Sequence, residues 1–185
     1  MVFYREVVKR YDPKASDSIS GYKLRINLLE KLIEFQIGDL VKGIDFEAIK
    51  KIQTFDLNGK VLKTYLHAKE LRPLNNLKDA FYEVIFEGKH LSVISLSMLQ
   101  KKEPSYHVAL SVGDKNAYYY LKTVYFSKLD NGEWQEIRLN KKSWLDITKS
   151  KYDEMQTYLK DYRISLNNEE DLKSFCQYFE KLNID

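Results

Sequence analysis

The residues of this 185-residue chain that could do chemistry are three histidines, one cysteine, seven glycines and a scatter of carboxylates. The glycines stand at Gly21, Gly38, Gly43, Gly59, Gly88, Gly113 and Gly132, so the closest two are five positions apart and no G-x-G exists. That spacing excludes the dinucleotide fingerprint, the kinase-type glycine loop and the G-x-S-x-G nucleophile elbow together. Gly38-Asp39-Leu40-Val41-Lys42-Gly43 has the glycine spacing of a phosphate loop, but Ile44-Asp45 stands where Lys and Ser/Thr are required. A turn between strands is the expectation there.

His67, His90 and His107 lie apart, without an H-E-x-x-H pattern or a cysteine partner at zinc spacing. His67-x-x-Glu70 comes nearest to a base with an orienting carboxylate, a spacing that also arises by chance. Cys176 falls on the apolar stripe of a C-terminal helix, where a thiol acts as a small buried hydrophobe, whereas a nucleophile needs a lowered pKa. Carboxylates are abundant, but chain order does not show two of them held ~5–9 Å apart as glycosidase chemistry needs. No catalytic residue, metal ligand or cofactor is therefore assigned.

The elements that would position these residues read mainly as strands. Tyr22, Leu24, Ile26 and Leu28 alternate with Lys23, Arg25 and Asn27, and Ile33, Phe35 and Ile37 alternate with Glu34 and Gln36, giving two strands of a meander. Asp45 can cap one helical turn over Phe46-Glu47-Ala48-Ile49. Asn58-Gly59 predicts a two-residue hairpin whose opposed positions put Ile52 across from Tyr65 and Phe55 across from Leu62. Leu71 to Leu77, with Pro73 and Asn75-Asn76, breaks the pattern and is the candidate internal boundary. Strand patterns resume at Phe81 to Phe86, Leu91 to Leu99 and Tyr106 to Val112.

A second hairpin at Asn131-Gly132 pairs Phe126 with Ile137 and Val124 with Leu139 as a core face. Its other face carries Tyr119, Leu121, Tyr125 opposite Arg138, and Leu129 opposite Trp134, an apolar surface that needs either a partner or a cover. Helices follow: Asn140 caps Lys141 to Thr148, Ser150-x-x-Asp153 opens a helix with Met155, Tyr158, Leu159 and Tyr162, and Asn168 opens a last one striped by Leu172, Phe175, Cys176, Phe179 and Leu182. The expected fold is α+β: a mostly antiparallel sheet or partly open barrel followed by C-terminal helices, as one domain over residues 1–185.

Composition excludes several classes. Apolar residues at 44%, with 14 Tyr, 9 Phe and 2 Trp, are globular proportions rather than those of a disordered chain. A net charge of +3 with interspersed signs steers little. Tyr118-Tyr119-Tyr120-Leu121-Lys122 offers rings beside a cation, but alternation sends those rings to both faces, so sheet packing is expected and nucleic-acid binding is not. One cysteine makes no internal disulfide. No apolar run approaches the ~20 residues of a bilayer span, and Met1 to Arg10 lacks the apolar core and cleavage site of a signal peptide.

The order Tyr118-Tyr119-Tyr120-Leu121-Lys122, then Ile137 to Leu145 with Asn140-Lys141-Lys142-Ser143-Trp144, then Glu154-Met155-x-x-Tyr158-Leu159 and Asp171-Leu172-x-x-Phe175 resembles uncharacterised cell-envelope proteins of Bacteroidetes over roughly residues 116 to 183. The resemblance implies a place outside the cytoplasm, whereas the opening residues alone leave a cytoplasmic location as the alternative. The expected function is a non-enzymatic binding or interaction protein, with an unknown protein or small molecule taken on Tyr119, Leu121, Tyr125 and Trp134. The alternatives are a hydrolase whose site forms only in three dimensions around His67, His90 or His107, and a membrane-surface module of the pleckstrin-homology kind.

Overall fold

A computed structural model describes residues 2–4, 18–72, 76–106, 110–130 and 132–183. His107, Pro73, Asn75 and Asn131, which carried parts of the sequence expectations, lie outside them. The fold is α+β, with two antiparallel sheets followed by helices. The strands are β1 (Val2–Tyr4), β2 (Ser18–Ile19), β3 (Lys23–Asn27), β4 (Leu32–Ile37), β5 (Leu40–Asp45), β6 (Ile49–Phe55), β7 (Val61–His67), β8 (Phe81–Glu87), β9 (Leu91–Lys102), β10 (Tyr118–Leu129) and β11 (Gln135–Ile137). The helices are α1 (Lys141–Ile147), α2 (Tyr152–Asp161) and α3 (Glu169–Leu182).

Eight strands form one open sheet in the order β11-β10-β9-β8-β7-β6-β1-β2, and β3-β4-β5 form a small second sheet. Of the two architectures expected, the open sheet is the one adopted. The large sheet runs across the Leu71–Leu77 break, because β7 pairs with β8 on its far side.

One face of the large sheet carries two covers. The small sheet packs Ile33 and Phe35 against Ile49, Ile52 and Phe81. The helices pack Trp144, Met155, Leu172, Phe175 and Phe179 against Ile85, Leu91, Val93 and Ile137. The opposite face is covered by the segment after β7, where Ala68, Leu71 and Leu77 meet Tyr82, Ile94, Phe126 and Trp134. Each large side chain fully buried in these clusters contributes about 1.5–3 kcal/mol relative to exposure.

The helix caps follow their residue types. Asn140 accepts from Ser143 N–H at 2.9 Å, and Asn168 accepts from Glu170 and Asp171 N–H at 2.8 and 3.3 Å. Asp45 caps its short turn by accepting from Glu47 N–H at 2.9 Å. Ser150 does not cap α2, since it lies inside a 3-10 turn over Lys149–Lys151 and no side chain caps that helix. Gly38 sits in a turn between β4 and β5, but Gly43 is a strand residue opposite Glu34, so the segment read as a turn is half a strand. In the segment expected as a strand over Tyr106 to Val112, the described residues contribute only an isolated bridge at Val112.

Both hairpin registers depart from expectation. In the first, Ile52 faces Tyr65 as predicted, but Phe55 faces Val61 rather than Leu62. The reason is Asp56, whose carboxylate accepts from the N–H groups of Asn58 and Lys60 and lengthens the loop, while Gly59 takes φ 78°. In the second, Tyr125 faces Ile137 and Phe126 faces Glu136, one residue away from the predicted pairing, and Leu139 lies beyond the strand. The chain turns through Asp130 at φ 45°, with Gly132 N–H donating to Leu129 O at 2.8 Å, and β11 begins only at Gln135. A one-residue slip exchanges faces. Ile137 thus joins Tyr125 and Leu129 under the helices, and Trp134 joins Phe126 on the other side.

Candidate functional site

Directly opposed residues share a sheet face. The pairings Ile52–Tyr65, Tyr65–Glu83, Glu83–Ser95, Ser95–Tyr125 and Tyr125–Ile137 therefore draw one row across six strands. Its ends are apolar and covered: Ile52 lies under the small sheet and Ile137 under the helices. Its middle is polar, with a tyrosine, a glutamate, a serine and a second tyrosine in succession.

An open cleft of about 150 Å³ lies over this middle section, with Tyr65, Glu83, Ser95 and Ser97 beside the apolar side chains of Ile26, Leu28, Phe81 and Leu121. The strands bring these residues together from distant parts of the chain. β9 and β10 stay paired over all twelve of their residues, while β8 pairs with β9 only from Ser92 to Ser95. Beyond that point the two strands project as a ribbon, and Ser97, Leu121 and Tyr119 lie on its cleft side.

Charges at the cleft are matched in pairs. Lys63 Nζ lies 2.6 Å from Glu83 Oε1, and Lys173 Nζ lies 2.6 Å from Glu169 Oε1 at the start of α3. The hydrogen bond to Glu83 holds the Lys63 ammonium above its ordinary pKa, against the opposing effect of burial. Burial, followed by the charge of Glu83, raises the Tyr65 hydroxyl. Burial first, then Glu169 and Glu83, raises Tyr125. Both phenols therefore stay protonated at neutral pH and serve as hydroxyl groups.

Of the four residues expected to form a contact surface, the structure brings three to one face. Tyr119 and Leu121 are exposed at 57% and 59%, and Tyr125 is half-buried at the edge of the helices on the same side of β10. Trp134 is not with them, being 3% exposed in the cluster on the opposite face. Tyr65, Glu83 and Ser95 were missed. Their signal was present as polar residues at positions whose parity is otherwise apolar, Glu83 between Phe81 and Ile85 and Ser95 after Leu91 and Val93.

The two described histidines lie apart, each with its own local partners. His67 is buried edge-on against Phe81, and its Nδ1 accepts from Lys69 N–H at 3.2 Å, which leaves the proton on Nε2, 3.4 Å from Asp79 Oδ1. His90 pairs with Asp130 at 2.8 Å beside the β8–β9 turn. Burial drives the Cys176 thiol far above the ordinary range, so it is inert. Among the described residues no cluster of three or more metal-ligating side chains exists, and no helix is long and apolar enough to cross a membrane.

No protein-family model, curated protein or solved structure matches this chain.

Proposed function

We propose that this chain is a non-enzymatic binding protein associated with the cell envelope, and that it takes its partner on the open part of the covered face. The observation that supports this most directly is the placement of Tyr119 and Leu121. These large side chains stand more than half exposed on the same side of β10 as Tyr125, with Leu121 lining the cleft, on a ribbon that pairs with no further strand among the described residues. A two-stranded ribbon gains little stability by itself, and exposed aromatic and aliphatic groups there cost solvation that a contact would recover. The envelope setting rests on the sequence resemblance of residues 116 to 183.

A photo-crosslinking amino acid placed at Tyr119 tests the proposal in cells, with Leu62 as the control because it is similarly exposed on another hairpin. Discrete adducts at position 119 that are absent at position 62 are expected. Equal labelling at the two positions, or none at 119, would overturn it.

A further inference from the structure

The cleft contains more chemistry than a contact surface needs. Ser95 is only 4% exposed, yet its hydroxyl makes no hydrogen bond to any described residue, although it lines the cleft. With no partner among the described residues and an opening on the cleft, that hydroxyl is left to bond with water or a ligand. Beside it stand the Tyr65 hydroxyl, the Glu83 carboxylate and Ser97, whose hydroxyl lies 3.3 Å from that of Thr123. Phe81 and Leu121 flank this polar row on the same sheet face, and Ile26 and Leu28 join the lining from the small sheet and the turn after its first strand.

The arrangement selects by charge and by shape. Lys63 neutralises Glu83 and Lys173 neutralises Glu169, so the cleft offers no surplus charge to an ion. A Glu carboxylate with spare lone pairs, together with serine and tyrosine hydroxyls, can accept from and donate to a set of hydroxyl groups at once. The volume of about 150 Å³ is below the ~300–1,000 Å³ of a drug-sized pocket, so one small ring fits. A ring with polar edges and apolar faces satisfies both kinds of lining.

We infer that the cleft binds one ring of a neutral saccharide, its hydroxyls on Glu83, Ser95 and Tyr65 and its C–H face against Phe81 or Leu121. This rests on the binding reading above and gives that reading a ligand class.

The test is an amide NMR titration of the full chain with methyl glycosides of glucose, galactose, mannose and N-acetylglucosamine. Glucuronate and a neutral alanine-serine hexapeptide are titrated in parallel. At least one glycoside is expected to shift the amides of Glu83, Ser95, Ser97 and Leu121 saturably, with an affinity of roughly 1 mM. Glu83→Gln should weaken that binding about tenfold, as loss of a charged hydrogen-bond acceptor does. Ser95→Ala, which removes a hydroxyl without disturbing the ion pair, should weaken it about threefold and guards against misfolding of the first variant.

Shifts caused only by glucuronate would overturn the neutral class, and shifts caused only by the hexapeptide would overturn the saccharide, while both would leave a binding surface in place. Cleft amides unmoved by every probe would overturn the inference. The crosslinking at Tyr119 then decides separately whether the binding reading falls with it.

Discussion

β9 and β10 are one pair of strands with two fates. Near Leu91, Val93 and Leu129 their shared face is pressed against Phe175 and its neighbours on α3. A few residues along, at Ser97, Tyr119 and Leu121, the same face of the same ladder meets solvent and the cleft. Backbone pairing is unbroken through both halves, so hydrogen bonding does not distinguish them. What differs is the cover. Where the helices lie, the side chains are mostly apolar and buried; where they stop, hydroxyls and exposed large side chains take over. Stability and recognition are thus assigned to different lengths of the same strands.

The sharpest way to break this contrast is to truncate one side chain in each half. Phe175 is fully buried and edge-on to Trp144, with ring centroids 5.7 Å apart. Phe175→Ala should cost about 3–5 kcal/mol in urea unfolding. Tyr119→Ser, in the open half, should stay within about 0.5 kcal/mol of the parent. If the two losses were alike, the ribbon would be part of the core and the division between halves would fail.

How far this division was legible depends on the element. The apolar stripe of α3, the caps at Asn140 and Asn168 and the Ile52–Tyr65 pairing are local patterns, and the structure carries them as read. The β10–β11 register was not legible, because Asn131-Gly132 suggests a two-residue turn while β11 starts late, after Trp134 has turned to the Phe126 cluster. The cleft was hidden for another reason. Its row joins β7 to β8 across the long segment from Ala68 to Ala80, whose length sets no register. Glu83 and Ser95 each looked like a single polar interruption, and only the pairing makes them neighbours.

A smaller effect is expected where α3 is fastened to the sheet. The Glu180 carboxylate accepts from the N–H groups of Lys89, His90 and Leu91 at 3.1, 2.8 and 2.7 Å. Those groups lie in the β8–β9 turn and at the first residue of β9, where a helix side chain satisfies them. Gly88 leaves room for that carboxylate, since an added Cβ would meet Glu180 Oε1. Glu180→Ala should cost about 2 kcal/mol, as part-buried donors lose a charged acceptor. Hydrogen exchange should quicken at His90 and Leu91 before it does at Ser97. Uniform quickening along β9 would mean that the two halves open as one unit.

The smallest expected difference separates the halves by pH. Cys176, on the covered side, has its thiol raised by burial first and by the charge of Glu180 second. An unfolded thiol titrates near ~8.5, so its neutral form favours folding fully below that pH. As pH rises past it, the unfolded chain loses a proton that the folded chain keeps, and stability falls by at most about 1.4 kcal/mol per pH unit. Lys63, Tyr65 and Tyr125 are also raised, but their ordinary values near ~10 delay their contribution to more alkaline solution. Between about pH 8 and pH 9.5 the parent should therefore lose about 1 kcal/mol that Cys176→Ala does not lose, whatever the substitution costs at neutral pH. Urea midpoints at the two pH values measure both slopes. An identical decline in parent and variant would mean that the Cys176 thiol ionises as freely in the folded chain as in the unfolded one, and that the helices do not seal it.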